Sequence, residues 1–197
     1  MGTFGYTDIG AFSGPLDTGS QSVPLIVASA FEAPEDGDVT TITAYLDFNA
    51  SRNPSCSAFV KCAIYIYDSA GGTHDLVDTT EEIEFTQPGH VPPINEDFVD
   101  GWKVFEFASP VSVTGGVDYM LAAWGEMAGT TSDLDYVKYK LDSESGYYTG
   151  YKYEAWNGYP DPLTLTDLNN FRMSIYATYT PSGGILVPKR MLMGVGT

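Results

Sequence analysis

Residues 39–49 alternate. Ile42, Ala44, Leu46 and Phe48 are apolar, and Thr41, Thr43 and Asp47 fall between them. A period of two over a run this long fits a pleated strand with one buried face and not the 3.6-residue repeat of a helix. Residues 59–68 repeat it: Val60, Cys62, Ile64 and Ile66 share one face, Lys61, Ala63, Tyr65 and Tyr67 the other, and the run closes at Asp68-Ser69-Ala70-Gly71-Gly72. Further strands are predicted at 25–31, 75–85, 102–107, 118–125, 135–141, 147–156 and 172–180. Turn signals separate them at Glu35-Asp36-Gly37-Asp38, Gln87-Pro88-Gly89, Thr114-Gly115-Gly116, Ser145-Gly146 and Gly158-Tyr159-Pro160. Such a series predicts an all-β fold, a two-sheet jelly-roll or Greek-key sandwich with an extended C-terminal strand. No fixed-period repeat is visible, which argues against a solenoid or propeller.

A chain of 197 residues buries a sizeable core without metals or disulfides to hold it. The net charge of −17 argues against nucleic acid and against anionic membrane surfaces as partners. No run approaches the roughly 20 apolar residues of a membrane span. The first residues carry neither a signal-peptide pattern nor, with Tyr6 where Ser or Thr is required, a myristoylation signal.

Four segments carry a resemblance. They are residues 30–46, with Ala33-Pro34-Glu35-Asp36-Gly37-Asp38 leading into the alternating strand; Ala63-Ile64-Tyr65-Ile66-Tyr67-Asp68; Gly101-Trp102-Lys103-Val104-Phe105-Glu106-Phe107; and Gly115-Gly116-Val117-Asp118-Tyr119-Met120-Leu121-Ala122. Their order resembles jelly-roll domains of microbial surface proteins, virion proteins and extracellular filament subunits, and is similar to carbohydrate-binding modules. The resemblance spans about residues 25–180. It implies a β-sandwich at a surface or outside the cell and specifies no chemistry, and such modules often carry structural calcium.

Catalytic signals are sparse. There is no HExxH, GxSxG, CxxC pair or phosphate loop, and His74 and His90 each follow a Gly-containing turn as isolated loop residues. The expectation is a protein that is not an enzyme and needs no cofactor. Structural calcium is the one alternative, at Asp36 and Asp38, Asp133 and Asp135, or Asp161 and Asp167, where turn carbonyls would complete an oxygen shell. Within residues 147–159, Tyr147, Tyr151 and Tyr153 share one strand face, and Tyr148 and Trp156 the other. A glycan platform of Tyr147, Tyr151, Tyr153, Trp156 and Tyr159 competes with plain cross-strand packing. Asn49-Ala50-Ser51 is a glycosylation sequon. Cys56 and Cys62 form a disulfide if the Asn53-Pro54-Ser55 loop folds back on the strand, and are otherwise two thiols.

The segmentation is an N-terminal arm at 1–22, a sandwich at 23–180, and a joint and tail at 181–197. After Pro181-Ser182-Gly183-Gly184 the chain runs Ile185, Leu186, Val187, Pro188, Lys189, Arg190, Met191, Leu192, Met193, Gly194, Val195. The tail holds two of the 9 basic residues and none of the 26 acidic ones, so it is +2 and the body is −19. Each buried aliphatic side chain is worth roughly 1.5 to 3 kcal/mol, so this segment needs an acceptor. Three readings compete: insertion into a neighbour's sheet, return to an edge of its own domain, or a sorting signal. The first makes the chain its own partner, a helical homopolymer, with Ile185, Val187, Met191, Met193 and Val195 on the plugging face, Leu186, Arg190 and Leu192 on the other, and Lys189 interrupting the plug. Glycans are the alternative partner.

Overall fold

A computed structural model describes residues 1–18, 23–49, 56–70, 72–86, 96–97, 99–129, 136–168 and 170–183. Among these there is no helix, and sixteen strands, β1 to β16 in chain order, form two sheets. The seven-stranded sheet holds β1 (Gly2–Gly5), β2 (Phe12–Thr18), β4 (Gly37–Asn49), β9 (Gly101–Val113), β11 (Tyr136–Ser143), β15 (Phe171–Met173) and β16 (Ile175–Pro181). The nine-stranded sheet holds β3 (Leu25–Glu32), β5 (Ser57–Ile66), β6 (Thr73–Thr79), β7 (Ile83–Thr86), β8 (Glu96–Asp97), β10 (Asp118–Ala128), β12 (Thr149–Tyr153), β13 (Leu163–Thr164) and β14 (Thr166–Asp167). Pairing is antiparallel except between β7 and β8.

Neighbours in each sheet are distant in sequence, as in a jelly-roll or Greek-key sandwich. β10 lies between β3 and β5. β4 is flanked by β9 on one edge and by β16 and then β11 on the other. The β9–β10 turn needs both glycines. Gly116 has φ 76°, in the left-handed region, and a Cβ on Gly115 would lie 2.6 Å from the Cα of Glu35.

The alternation in the sequence becomes the inter-sheet core. Ile42, Ala44, Leu46 and Phe48 of β4 join Phe105, Val137, Ile175 and Ala177 of the same sheet. They meet Val27, Val60, Cys62, Ile64, Leu121 and Ala123 from the facing sheet. The nine-stranded sheet buries its outer face as well. There Ala28, Ala122 and Ala63 stand side by side across β3, β10 and β5, and the small side chains leave a trough for the segment following β12. Tyr159 and Leu163 pack into this second cluster, with Trp156 and Leu165 beside them. Two phenols pin the cover: Tyr159 donates to the Lys61 carbonyl at 2.9 Å, and Tyr65 to the Pro160 carbonyl at 3.1 Å.

Two expectations are corrected. The N-terminal residues read as an arm are structural: β1 pairs with β16, β2 pairs with β11, and Phe4, Tyr6 and Leu16 are buried. Burial of these rings is what draws the segment into the sheet. Cys56 and Cys62 are buried and not joined to each other. β5 starts at Ser57 and runs unbroken past Cys62, so the chain between the two cysteines is extended, roughly 20 Å, and does not fold back. The separation of Cys62 from Cys56 is thus fixed by the strand itself, and burial pushes the Cys62 thiol pKa up. The extended tail, with Ile185, Leu186, Val187, Lys189, Arg190, Met191, Leu192, Met193 and Val195, lies outside the described residues.

Candidate functional site

At one end of the sandwich a cleft of about 540 Å³ opens between the edge of the first sheet and the ends of three strands of the second. β1 contributes Thr3, Phe4 and Gly5; β3 and the turn after it contribute Ala30, Phe31, Glu32 and Pro34; the remainder comes from Tyr67, Asp118 and the 146–148 turn. Its floor is aromatic. Phe4 and Phe31 are buried, and the Phe31 and Tyr147 rings lie 6.4 Å apart.

Its rim is acidic. Asp118 lies directly opposite Glu32 in the β3–β10 ladder, and both side chains are exposed. Like charges at opposed positions repel and are tolerated where water or a cation screens them. Among the described residues the ion pairs lie elsewhere, Lys140 with Asp47, Lys152 with Glu154 and Arg172 with Glu144. The two rim carboxylates therefore face solvent without a cationic partner among those residues.

Among the described residues, two strand edges at the cleft carry no further strand. β1 pairs only with β16, and no strand lies beyond it among the described residues. The pairing of β3 with β12 ends as the Ala30 amide donates to the Tyr148 carbonyl, so among the described residues no strand continues beside Glu32 on that edge. Two other edges are engaged. β9 is bridged at Phe107 by Thr80, and the Glu81 amide donates to the Glu106 carbonyl. The edge strand β2 is tied to β10 where the Met127 amide donates to the buried Asp17 carboxylate at 2.7 Å.

On the outer side of the cleft, Tyr67 stacks on His74 at 5.3 Å and meets Tyr148 at 5.1 Å. Burial, followed by a hydrogen bond to Asp167, pushes the Tyr148 phenol pKa up. His74 is not a loop residue: it lies in β6, fully buried, and its Nδ1 accepts from the Asp68 amide at 3.2 Å. Burial lowers its pKa, against the opposing pull of Asp68, Asp167 and Asp75. A packed, neutral imidazole with one nitrogen committed to the backbone is a structural group. His90 lies outside the described residues.

The five aromatic residues read as a platform are divided between two faces. Tyr147 and Tyr151 pack against the inter-sheet core, and Tyr153 meets Tyr151 at 5.9 Å and is 58% exposed. Trp156 and Tyr159 belong to the outer cluster, where Trp156 lies 4.8 Å from the fully buried Trp124. Their π-faces are already occupied: Lys61 Nζ lies 4.3 Å from the Trp156 ring and 4.7 Å from Trp124. Burial lowers the Lys61 pKa, with Glu82 and Glu126 opposing. A contiguous stack of all five rings is not formed, because Tyr147 and Tyr151 pack towards the inter-sheet core while Trp156 and Tyr159 lie in the segment after β12 that covers the outer face.

The acidic turns are satisfied by protein donors. Asp36 accepts from the Gly115 amide at 2.9 Å, Asp38 from the Ser112 hydroxyl at 2.8 Å and Asp161 from the Leu76 amide at 3.1 Å. Asp133 and Asp135 lie outside the described residues, among which no group of three or more His, Cys, Asp or Glu is placed to hold a metal ion. Asn49 ends β4 opposite Tyr136 and is half-buried; Ala50 and Ser51 of its sequon lie outside the described residues. No helix among the described residues is long and apolar enough to cross a membrane.

Sequence reasoning missed Glu32, Asp118 and Phe4 as site residues. The opposition of the two acids depends on the β3–β10 register, which local pattern does not reveal. No protein-family model matches this chain, and no curated protein matches it.

Proposed function

We propose that this chain is a structural, non-catalytic subunit of an extracellular or surface filament that polymerises head-to-tail by inserting its C-terminal strand into the neighbouring subunit. The observation that carries the reading is that, among the described residues, the strands of both sheets lie between 2 and 181, ahead of the apolar segment. A further apolar segment of charge +2 follows a body of charge −19. That segment must leave water, and oppositely charged copies of the body surround it at any useful concentration. Strand addition to an open sheet edge satisfies its backbone and its side chains together. Extended, residues 185–195 reach roughly 36 Å, enough to cross one domain.

Electron microscopy and sedimentation of the full chain, and of a chain lacking residues 184–197, test this. The full chain is expected to form filaments and the truncated chain to remain monomeric with unchanged circular dichroism. Polymer that survives the deletion would sink the proposal.

One observation favours a second reading, a carbohydrate-binding module. Tyr67 and Tyr148 meet at the cleft beside Glu32 and Asp118, and aromatic faces flanked by carboxylates suit sugar rings and their hydroxyls. Glycan-array binding by the full chain, abolished by Tyr67→Ala, would promote this reading over the first.

A further inference from the structure

We propose that the acceptor for the tail is the acidic cleft beside β1, with Lys189 and Arg190 of one copy seated against Glu32 and Asp118 of the next. The assignment rests on the strand-donation reading above. Three independent features of the cleft match three of the tail. The lining presents the half-buried rings of Tyr67, Tyr147 and Tyr148, above the buried Phe4 and Phe31, to a segment rich in Ile, Leu, Val and Met. The outer edge of β1 and the edge of β3 beyond its pairing with β12, neither with a further strand among the described residues, offer backbone groups to an extended chain. The rim sets two carboxylates at opposed positions, where their mutual repulsion is relieved by two adjacent cations.

A competing edge is less suitable. Around Glu81, Ile83, Val104 and Glu106 a second hollow of about 390 Å³ also combines acids with apolar side chains. There the Glu106 carbonyl is already taken by the Glu81 amide, so a strand arriving at that edge meets a ladder already bonded at its centre. It also lacks the aromatic floor.

The joint dictates a complementation experiment in the full chain. A cleft variant, Glu32→Lys with Asp118→Lys, retains a working tail; a tail variant, Lys189→Glu with Arg190→Glu, retains a working cleft. Both rim side chains are exposed, so folding is expected to survive and is checked by circular dichroism. Each variant alone is expected to lose assembly, with apparent association weakened at least about tenfold. Their equimolar mixture is expected to polymerise in alternation, because the cationic tail of the cleft variant meets the acidic cleft of the tail variant and the acidic tail of the latter meets the basic cleft of the former. Combining all four substitutions in one chain is expected to restore polymer, and Glu81→Lys with Glu106→Lys is expected to leave assembly as in the wild type.

A cleft variant that polymerises normally, while the chain lacking 184–197 is monomeric, overturns the acceptor and leaves strand donation standing. Loss of assembly in the Glu81/Glu106 variant with none in the cleft variant moves the acceptor to β9. A monomeric wild-type chain, or a mixture that stays monomeric, points to a tail docked on its own domain and overturns the joint between copies.

Discussion

Tyr139 projects from β11 into the core, and burial, with smaller contributions from Tyr153 and Tyr151, pushes its phenol pKa up to about 12. Burial raises Tyr65, Tyr148 and Tyr159 in the same direction. An unfolded tyrosine ionises near 10.0, so folding holds these groups neutral beyond the point where the open chain would release their protons. The stabilisation is complete below pH about 10 and is lost as pH climbs towards the folded values. Alkaline titration is therefore expected to give a late, cooperative rise of tyrosinate absorbance that coincides with loss of near-ultraviolet circular dichroism. A full tyrosinate signal at pH about 10 with the fold intact would contradict this. Several of these positions were legible beforehand: Tyr65 lies on the correct face of its strand, and Tyr148 and Trp156 are on the face opposite Tyr147 and Tyr151. Their burial was not legible, because it comes from the 154–168 cover, a long-range contact that leaves no periodic trace.

The strands that alternated were read well, and those that did not were missed for identifiable reasons. β4 and β5 match their predicted spans to within two residues. β2 contains Gly14-Pro15, which reads as a turn. Yet Pro15 sits where the pairing with β11 shifts register, on an edge strand that tolerates a missing amide. β9 extends past Phe107 through Pro110 to Val113, because its ladder with β4 shifts register between Val39 and Thr41 and resumes at Val111. The predicted strand at 75–85 divides into β6 and β7 around Thr80, whose hydroxyl accepts from the Cys62 amide. The alanine row beneath the 154–168 cover gives a test at this scale. Ala122→Leu places three extra carbons under Tyr159 and Leu163, and is expected to cost about 1 to 3 kcal/mol. Urea denaturation measures the loss, and a change in Trp156 fluorescence would show the cover displaced. A neutral result would mean the cover is loosely seated.

At the scale of the molecule, 26 acidic against 9 basic residues make salt act in two directions. Screening weakens self-repulsion within the folded body, so raising salt from about 0.02 to 0.2 M is expected to raise the thermal midpoint of the tail-charge variant. The same change is expected to loosen the joint between a +2 tail and a −19 body in the wild type, seen as shorter polymers in sedimentation. Midpoint and polymer length rising together would show that assembly is governed by apolar burial with charge contributing little. The excess of acid was plain in the sequence, whereas the opposition of Glu32 and Asp118 at one mouth of the sandwich awaited the register.

The way β16 is held has a mechanical consequence for a chain pulled from its C-terminal end. β16 is held on both sides, by β4 along Ile175–Pro181 and by β1 opposite Tyr176 to Tyr179, and the chain exits past Ser182, whose amide donates to the Asp36 carbonyl. Tension arriving through the tail pulls β16 along its own axis and loads both ladders in shear, so their hydrogen bonds must yield together where a peeled edge strand would lose them one at a time. A subunit pulled by its C-terminal end is gripped by its innermost strand pairings, and the two chain ends share the load because β1 is one jaw of the grip.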